Sequence, residues 1–450
     1  MKNIQWFAAL LSLLIVPSVA FSQSTSTDSL QKEIGQIKKE VSALKRIKFS
    51  GYIQPQFQIA DSAGAASVAG GNFAAGLNNR FMIRRGRFKA VYTSVENSKG
   101  IATSQYGLQI DVTERGMTIK EGFAKLTDPW KGFASVTMGM FTNPFGFEVG
   151  YSSASRETPE FGRMSQTLFP NEMEVGAMLT LQGPKKSKWN KYRFDAALVN
   201  GNNAPGYGVD VSDFDSKKDL ITRLSTEQTF KDGKFGFGAG VSYYSGGFRI
   251  DSVNVYKMGS SETGTSGFIL DSKAVDNGTV SIADRGFTTR NYMGADLRFT
   301  YKWRAGSTTL RGEYITGEQP GSSTSSRSPN DKTPISKDIF NREFAGGYFY
   351  LIHALNKLPI ELVAKYDFYD PNTAVGGDDI GKVPGTSSKA TNEADLMYTT
   401  LGFGVNWNYD QNIRLMAYYD MVTNETSSSL SGWTADKKDN IFTMRMQVKF

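Results

Sequence analysis

The chain has 450 residues, 39% hydrophobic, 12% aromatic and 21% charged, with 46 Gly, no Cys and one His; 51 basic and 44 acidic side chains leave a net +7. The absence of cysteine excludes a disulfide framework, thiolate metal sites and thiol catalysis, and a lone His353 leaves no room for a multi-His metal site, so no cofactor is expected. The basic excess is mild and scattered, unlike the dense stripe of a nucleic-acid binder, and so much Gly with so many aromatics points to β structure with frequent turns.

Residues 1–22 read as a secretory signal peptide. Lys2 supplies the positive start, an apolar run extends from Trp6 to Val16, Pro17 breaks it, and Ala20 and Ser22 occupy the positions a signal peptidase reads, so cleavage is expected before Gln23. The run is shorter than the roughly 20 residues a spanning helix needs. Beyond Gln23 no long apolar window follows, so the mature chain is expected to be either soluble outside the cytoplasm or a closed β-barrel in a membrane. Residues 23–47 form the next segment. Leu30, Ile34, Ile37, Val41 and Leu44 recur at spacings of four and three, a short heptad seam that predicts a helix. It would pair as a coiled coil if neighbouring barrels bring the helices together, or else fold back on its own barrel.

After Lys48 the period changes to 2 and stays there through most of the chain. Phe49, Ile53, Phe57 and Ile59 oppose Ser50, Gln54, Gln56 and Gln58; Leu108, Ile110 and Val112 oppose Gln109, Asp111 and Thr113; Val175 and Leu179 oppose Glu174 and Thr180. Leu362, Ala364 and Tyr366 oppose Glu361, Lys365 and Asp367, and Met444, Met446 and Val448 oppose Arg445, Gln447 and Lys449. One face suits lipid and the other suits water. About sixteen such segments are expected, joined alternately by short links (96–104, 128–132, 183–190, 231–234, 303–307, 355–359, 409–412) and long ones (60–79, 142–171, 200–217, 245–285, 317–341, 370–392, 422–439), with 114–116 the one brief link in the long set. The expected fold is therefore all-β: a transmembrane antiparallel up-and-down barrel of about 16 strands, preceded by a short helix, with the helix and termini on the periplasmic side and the long links outside. A soluble propeller would need repeats of fixed length and two buried faces, and neither is present.

FSGYIQPQFQ at 49–58, FMIRRGRFKAVY at 81–92, GMFTNPFGFE at 139–148, ALVNGNN at 197–203, LVAKYDFYDPN at 362–372 and LGFGVNWNYDQNIRLMAYYDM at 401–421 follow one another in order. Together they resemble the phosphate-selective porin O and P family of Gram-negative outer membranes, in its Bacteroidetes-type form with an N-terminal helix. The resemblance spans roughly residues 48–450. It implies a homotrimer of sixteen-stranded barrels in outer-membrane lipid and lipopolysaccharide, each with a water-filled channel narrowed by an infolded loop, here 142–171. The aromatic Phe450 resembles the terminal signal read by barrel-assembly machinery.

A channel of this kind works through the shape and charge of its lumen. The densest basic cluster is Arg80, Arg84, Arg85, Arg87 and Lys89. Strict alternation turns Arg85, Arg87 and Lys89 inward and Arg84 outward, unless Gly86 marks a bulge. Pairing with Asp111 and Glu121 would instead make these residues part of the barrel's packing. The 142–171 link adds Arg156, Glu157, Glu160 and Arg163, mixed signs that predict a transverse field. Further inward candidates by phase are Arg193, Arg223, Arg290, Arg298, Arg311, Lys365, Arg414 and Arg445, beside Asp195, Asp296, Glu313 and Asp367. Interleaved acids argue against a pure cationic filter. The expected function is passive diffusion of small polar solutes with mild anion preference, extending to phosphate or polyphosphate; the alternative is a closed-lumen barrel that binds a partner. Enzymatic use of His353 is not expected, since its phase puts it at the rim beside a short link.

Overall fold

The computed structural model describes residues 27–202, 213, 215–249, 254–272, 286–327, 338–386 and 388–450; the expected signal peptide and parts of four long links lie outside them. Two units are distinguished, Met1–Ile47 and Lys48–Phe450. In the first, α1 (Thr27–Leu44) carries the heptad seam, and its Ile34, Ile37, Val41 and Leu44 are all exposed.

The second unit is a sheet of β1 (Ile47–Ala60), β2 (Asn79–Thr93), β3 (Ser104–Thr113), β4 (Gly116–Thr127), β5 (Ala134–Thr142), β6 (Met173–Gln182), β7 (Tyr192–Val199), β8 (Asp219–Phe230), β9 (Phe235–Gly246), β10 (Val255–Ser260), β11 (Ser266–Ser272), β12 (Arg290–Trp303), β13 (Gly306–Gly321), β14 (Ile339–Leu355), β15 (Ile360–Asp370), β16 (Tyr398–Asn408), β17 (Ile413–Asn424) and β18 (Ile441–Lys449). Each pairs antiparallel with its neighbour, β12 follows β9 directly, and β1 meets β18 with Tyr52 opposite Lys449 and Ala60 opposite Ile441. Sixteen strands thus close into an antiparallel barrel.

β10 and β11 stand apart from the wall, a hairpin inside what sequence alone gave as one long link. β10 joins the first residues of β14 in parallel, where Tyr256 stacks on Phe340 and Phe268 meets the same ring edge-on, both at 5.0 Å. The 142–171 link, read from the sequence as a loop, holds a one-and-a-half-turn helix, α2 (Arg163–Leu168).

Burial runs opposite to that of a water-soluble protein. Gln54, Gln58 and Thr443 are fully buried, while Ile53, Leu108, Leu224 and Met444 are exposed. The period-2 alternation forces this, because closing the wall turns every second side chain inward. The apolar band outside suits hydrocarbon. A hydrophobic core nevertheless forms within the lumen, where Phe145, Leu168 and Phe169 of the 143–172 segment meet Tyr244, Tyr292 and Phe344. The rings pack at 5.1 Å from Phe145 to Phe169 and from Tyr292 to Phe344, offset or edge-to-face as aromatic quadrupoles favour.

Glycines make room for aromatics on the next strand. The Tyr418 ring lies across Gly402 and Gly404, where an added Cβ would fall 2.1 Å from the phenolic oxygen and 2.2 Å from Cδ2. We therefore expect Gly404→Val to displace Tyr418 and to lower stability by roughly 1–3 kcal/mol through overpacking. Gly236→Val, whose Cβ would meet Thr300 at 3.4 Å, should be nearly neutral. The urea midpoints of the two refolded variants test the contrast.

Candidate functional site

Residues 143–172 leave the wall after β5, fold into the barrel and return at β6. The descent begins at the Asn-Pro-Phe-Gly turn. Gly146 has φ +63 and packs so closely on Glu313 that a Cβ would sit 1.8 Å from its Oε1. Only glycine fits there. Glu313 of β13 accepts the backbone N–H groups of Phe147 (3.0 Å) and Glu148 (3.1 Å) and the hydroxyl of Tyr348 (2.7 Å), so it caps the loop's first turn from the opposite wall. Glu148 then ties the two halves of the loop together, accepting from Ser165 Oγ, Gly162 N and Tyr350 Oη.

Glu160 is the loop's main charge anchor. Its two oxygens accept from Arg84 at 2.8 and 3.0 Å, from Arg85 at 2.6 and 3.2 Å, and from Arg445 at 3.0 Å. Burial alone would raise the carboxyl, but the three guanidiniums outweigh it and hold Glu160 well below the usual carboxylate range. Nearby, Arg156 is 2% exposed, lies 3.3 Å over the Phe161 ring and 3.9 Å from Glu160, and none of its side-chain nitrogens has a hydrogen-bond partner among the described residues. Arg163 donates its backbone N–H to Asp367 and stacks over Tyr398 at 3.8 Å. Glu157 accepts from Arg311 at 2.9 Å and from Tyr151 at 2.8 Å.

Arg84 points inward with Arg85, which strict alternation had not allowed. Arg80 and Met82 reach Gln58 and Gln56 on the inner face, as Arg87 reaches Ser153, so the phase slips by one residue between Arg84 and Arg85. The backbone N–H groups of Ile83 and Gly86 mark the irregularity by donating to Glu114 and Asp111 carboxylates. A second slip lies opposite, on β4. The register shifts there between Ile119 and Glu121, and the intervening Lys120 donates to Asn171 O at 2.7 Å and lies 3.6 Å from Glu172. Such bulges re-aim side chains beside functional sites. They set Arg84, Arg85 and Lys120 against the infolded loop.

The remaining candidates are paired in turn. Arg80 donates to Gln58 and to Asn72 O and lies 4.0 Å over Phe73. Arg87 meets Asp111 at 3.2 Å and Lys89 bonds Glu121. Arg193 pairs with Asp195, Arg223 with Asp296 and Lys365 with Asp367, at 2.7, 2.7 and 2.8 Å. Arg298 reaches Glu227 at 2.6 Å, Arg290 lies 3.7 Å from Asp219, and Arg414 donates to Ala154 O and Gln447 at 3.3 Å. Arg311 chooses Glu157 over its own strand's Glu313. His353 sits on the outer face two residues before the end of its strand, with Nδ1 2.9 Å from Thr308 Oγ1.

Beneath the loop a cavity of about 1380 Å³ is bounded by its 143–157 arm, by β2–β9, β12 and β13, and by the β6–β7 turn at the short-link end. Nine basic and four acidic side chains line it. Lys89, Arg193, Arg223, Arg298 and Arg311 were legible from phase; Lys125, Lys185, Lys188 and Lys191 were not singled out, although four lysines in residues 185–191 are a visible signal. Arg80, Arg84, Arg85, Arg87, Arg156, Arg163, Lys365 and Arg414 lie outside its lining.

No protein-family model matches the chain, and no curated protein sequence matches it. Among solved structures, OprB of Pseudomonas putida is similar over 93% of this chain and 97% of its own, at 10% identity and a TM-score of 0.56. The outer membrane channel DcaP of Acinetobacter baumannii is similar over 90% and 97% at 11% identity, and OmpT, an outer membrane protein of Vibrio cholerae, over 90% and 99% at 9%, both with a TM-score of 0.48. At such identity the likeness to OprB speaks to the barrel fold alone.

Glu160→Gln should leave two buried guanidiniums and the half-buried Arg84 facing a neutral amide, at a cost of roughly 3–5 kcal/mol. Because the folded carboxyl titrates below the ordinary 4.5, its contribution is complete above that pH and is lost only as pH falls through the lowered value. The urea midpoint of the variant should therefore lie below that of the unmodified protein at pH 7, and the gap between the two should hold down to pH 5.

Proposed function

We propose that this protein is a porin-type channel of a Gram-negative outer membrane, through which small polar solutes diffuse passively with a mild preference for anions. The observation that carries this is the cavity beneath the infolded loop, whose nine basic and four acidic lining side chains sit inside a closed barrel with an apolar exterior. A hydrated anion entering such a lumen exchanges water for charged donors. Because most of those donors already face a carboxylate, the field favours anions without trapping them. Arg298, 4.1 Å over Phe147 at the loop end of the cavity, and Lys125, without a salt-bridge partner among the described residues, are the lining residues most suited to set its selectivity.

The second-strand arginines take a different part in this proposal. Arg84 and Arg85 are committed to Glu160, so they hold the constriction's shape rather than meet solute. The order of motifs that resembles the phosphate-selective porin O and P family supports phosphate or polyphosphate as solutes. The same resemblance supports a homotrimer whose N-terminal helices zip together once the barrels associate, removal of residues 1–22 on export, and short links facing the periplasm.

A second reading is favoured by the lumenal aromatic core. Phe145, Phe169, Tyr244, Tyr292 and Phe344 are each at most 1% exposed. Such packing fits a barrel closed above the cavity that serves a partner through its outer loops.

The zero-current potential of the refolded protein in a planar bilayer under a chloride gradient separates the two. Stable steps with a modest anion preference are expected, and an Arg298→Gln, Lys125→Gln variant should lose most of that preference. A folded barrel without conductance would favour the closed reading.

A further inference from the structure

The two ends of the barrel carry opposite charge. At the short-link end, the turns 128–133, 183–192, 230–235 and 301–306 are neighbours around the rim and hold nine basic against two acidic side chains. At the long-link end, 370–397 and 424–440 hold eight acidic against four basic. Three of the nine cations, Lys185, Lys188 and Lys191, also border the lumenal cavity; the other six do not. None of the nine forms a salt bridge with another described residue. Of the two acids, Asp128 is spent locally, accepting the backbone N–H groups of Trp130 and Lys131.

Large aromatic side chains alternate with these cations along the same arc. Trp130 is 72% exposed, Trp189 55% and Trp303 47%. Just above them the strands expose Leu126, Leu224 and Phe299, so the arc lies where the apolar band ends. Amphipathic rings settle at headgroup depth, and Lys and Arg stems lie along apolar surface while their charge reaches the polar layer. A soluble anion would need the cations alone and would gain nothing from tryptophans held at that depth.

We propose that this rim arc binds the anionic headgroups of a phospholipid leaflet, so that the barrel gathers anionic phospholipid around one half of its short-link end. The inference rests on the reading of the barrel as membrane-embedded. Because neighbouring cations share the headgroups of the same few lipids and salt screens them, the arc as a whole gives on the order of a 3-fold preference for an anionic over a zwitterionic lipid at low salt.

The test is quenching of tryptophan fluorescence in vesicles containing brominated phosphatidylglycerol or brominated phosphatidylcholine. The purified protein is expected to be quenched by both, with a relative association constant of about 3 for the anionic lipid. A K131Q, K186Q, K234Q, R304Q variant, altered only at cations outside the cavity lining, should fall toward 1 while keeping its single-channel conductance. Strong quenching by both lipids with equal constants in the two proteins would overturn the proposal while leaving the membrane reading intact. Absence of quenching by either lipid would overturn both.

Discussion

A wall that turns Ile53, Leu108, Leu224 and Met444 outward has no water on that side to satisfy an unpaired amide, so every backbone group must find its partner in the next strand. The pairing of β1 with β18 meets this requirement. It removes the last sheet edge, fixes an even number of antiparallel strands and brings residue 450 back beside Gly51, whose N–H and C=O both bond Phe450. Everything inside follows from closure, because a closed wall obliges half of each strand to face a lumen.

That lumen is filled by charge and aromatics in separate regions. On the β12–β14 side the infolded loop contributes Phe145 and Phe169 to a dry core; on the β2 and β18 side it contributes Glu160 to three arginines. The arrangement costs desolvation of several ions, and buried pairs seldom add net stability over apolar packing. Their value here is specificity of position. A loop held by one carboxylate among three guanidiniums, with Glu313 and Glu148 capping its turns, has few alternative seats, so the boundary it gives the cavity is sharply defined.

The wall was largely legible in the sequence, because period 2 persists wherever one face meets hydrocarbon and the other polar groups. The hairpin β10–β11 escaped because its pattern is short and its packing on Phe340 depends on a strand 70 residues away. The site was legible in part. Phase alone identified Arg193, Arg223, Arg298 and Arg311, but two bulges broke the phase at Arg84–Arg85 and Lys120–Glu121, and a bulge is a property of the pairing rather than of either strand alone. Partner choice was the least visible feature. Arg311 and Glu313 are two apart on one strand face, yet each is claimed by a different turn of the loop's 143–157 arm, and only the descent from Gly146 decides which.

The loop's anchoring redistributes function among the basic residues. A guanidinium that must hold a buried carboxylate cannot also yield to a passing anion without loosening the constriction, so selectivity and shape compete for the same side chains. The fold resolves the competition by depth. Arg84, Arg85 and Arg445 are consumed where the loop is fixed, while Lys125, Lys185, Lys188 and Lys191, without salt-bridge partners among the described residues, remain at the cavity's open end. The most concentrated arginines in the sequence are therefore the least available to solute, and the diffuse lysines of the short links carry the accessible charge.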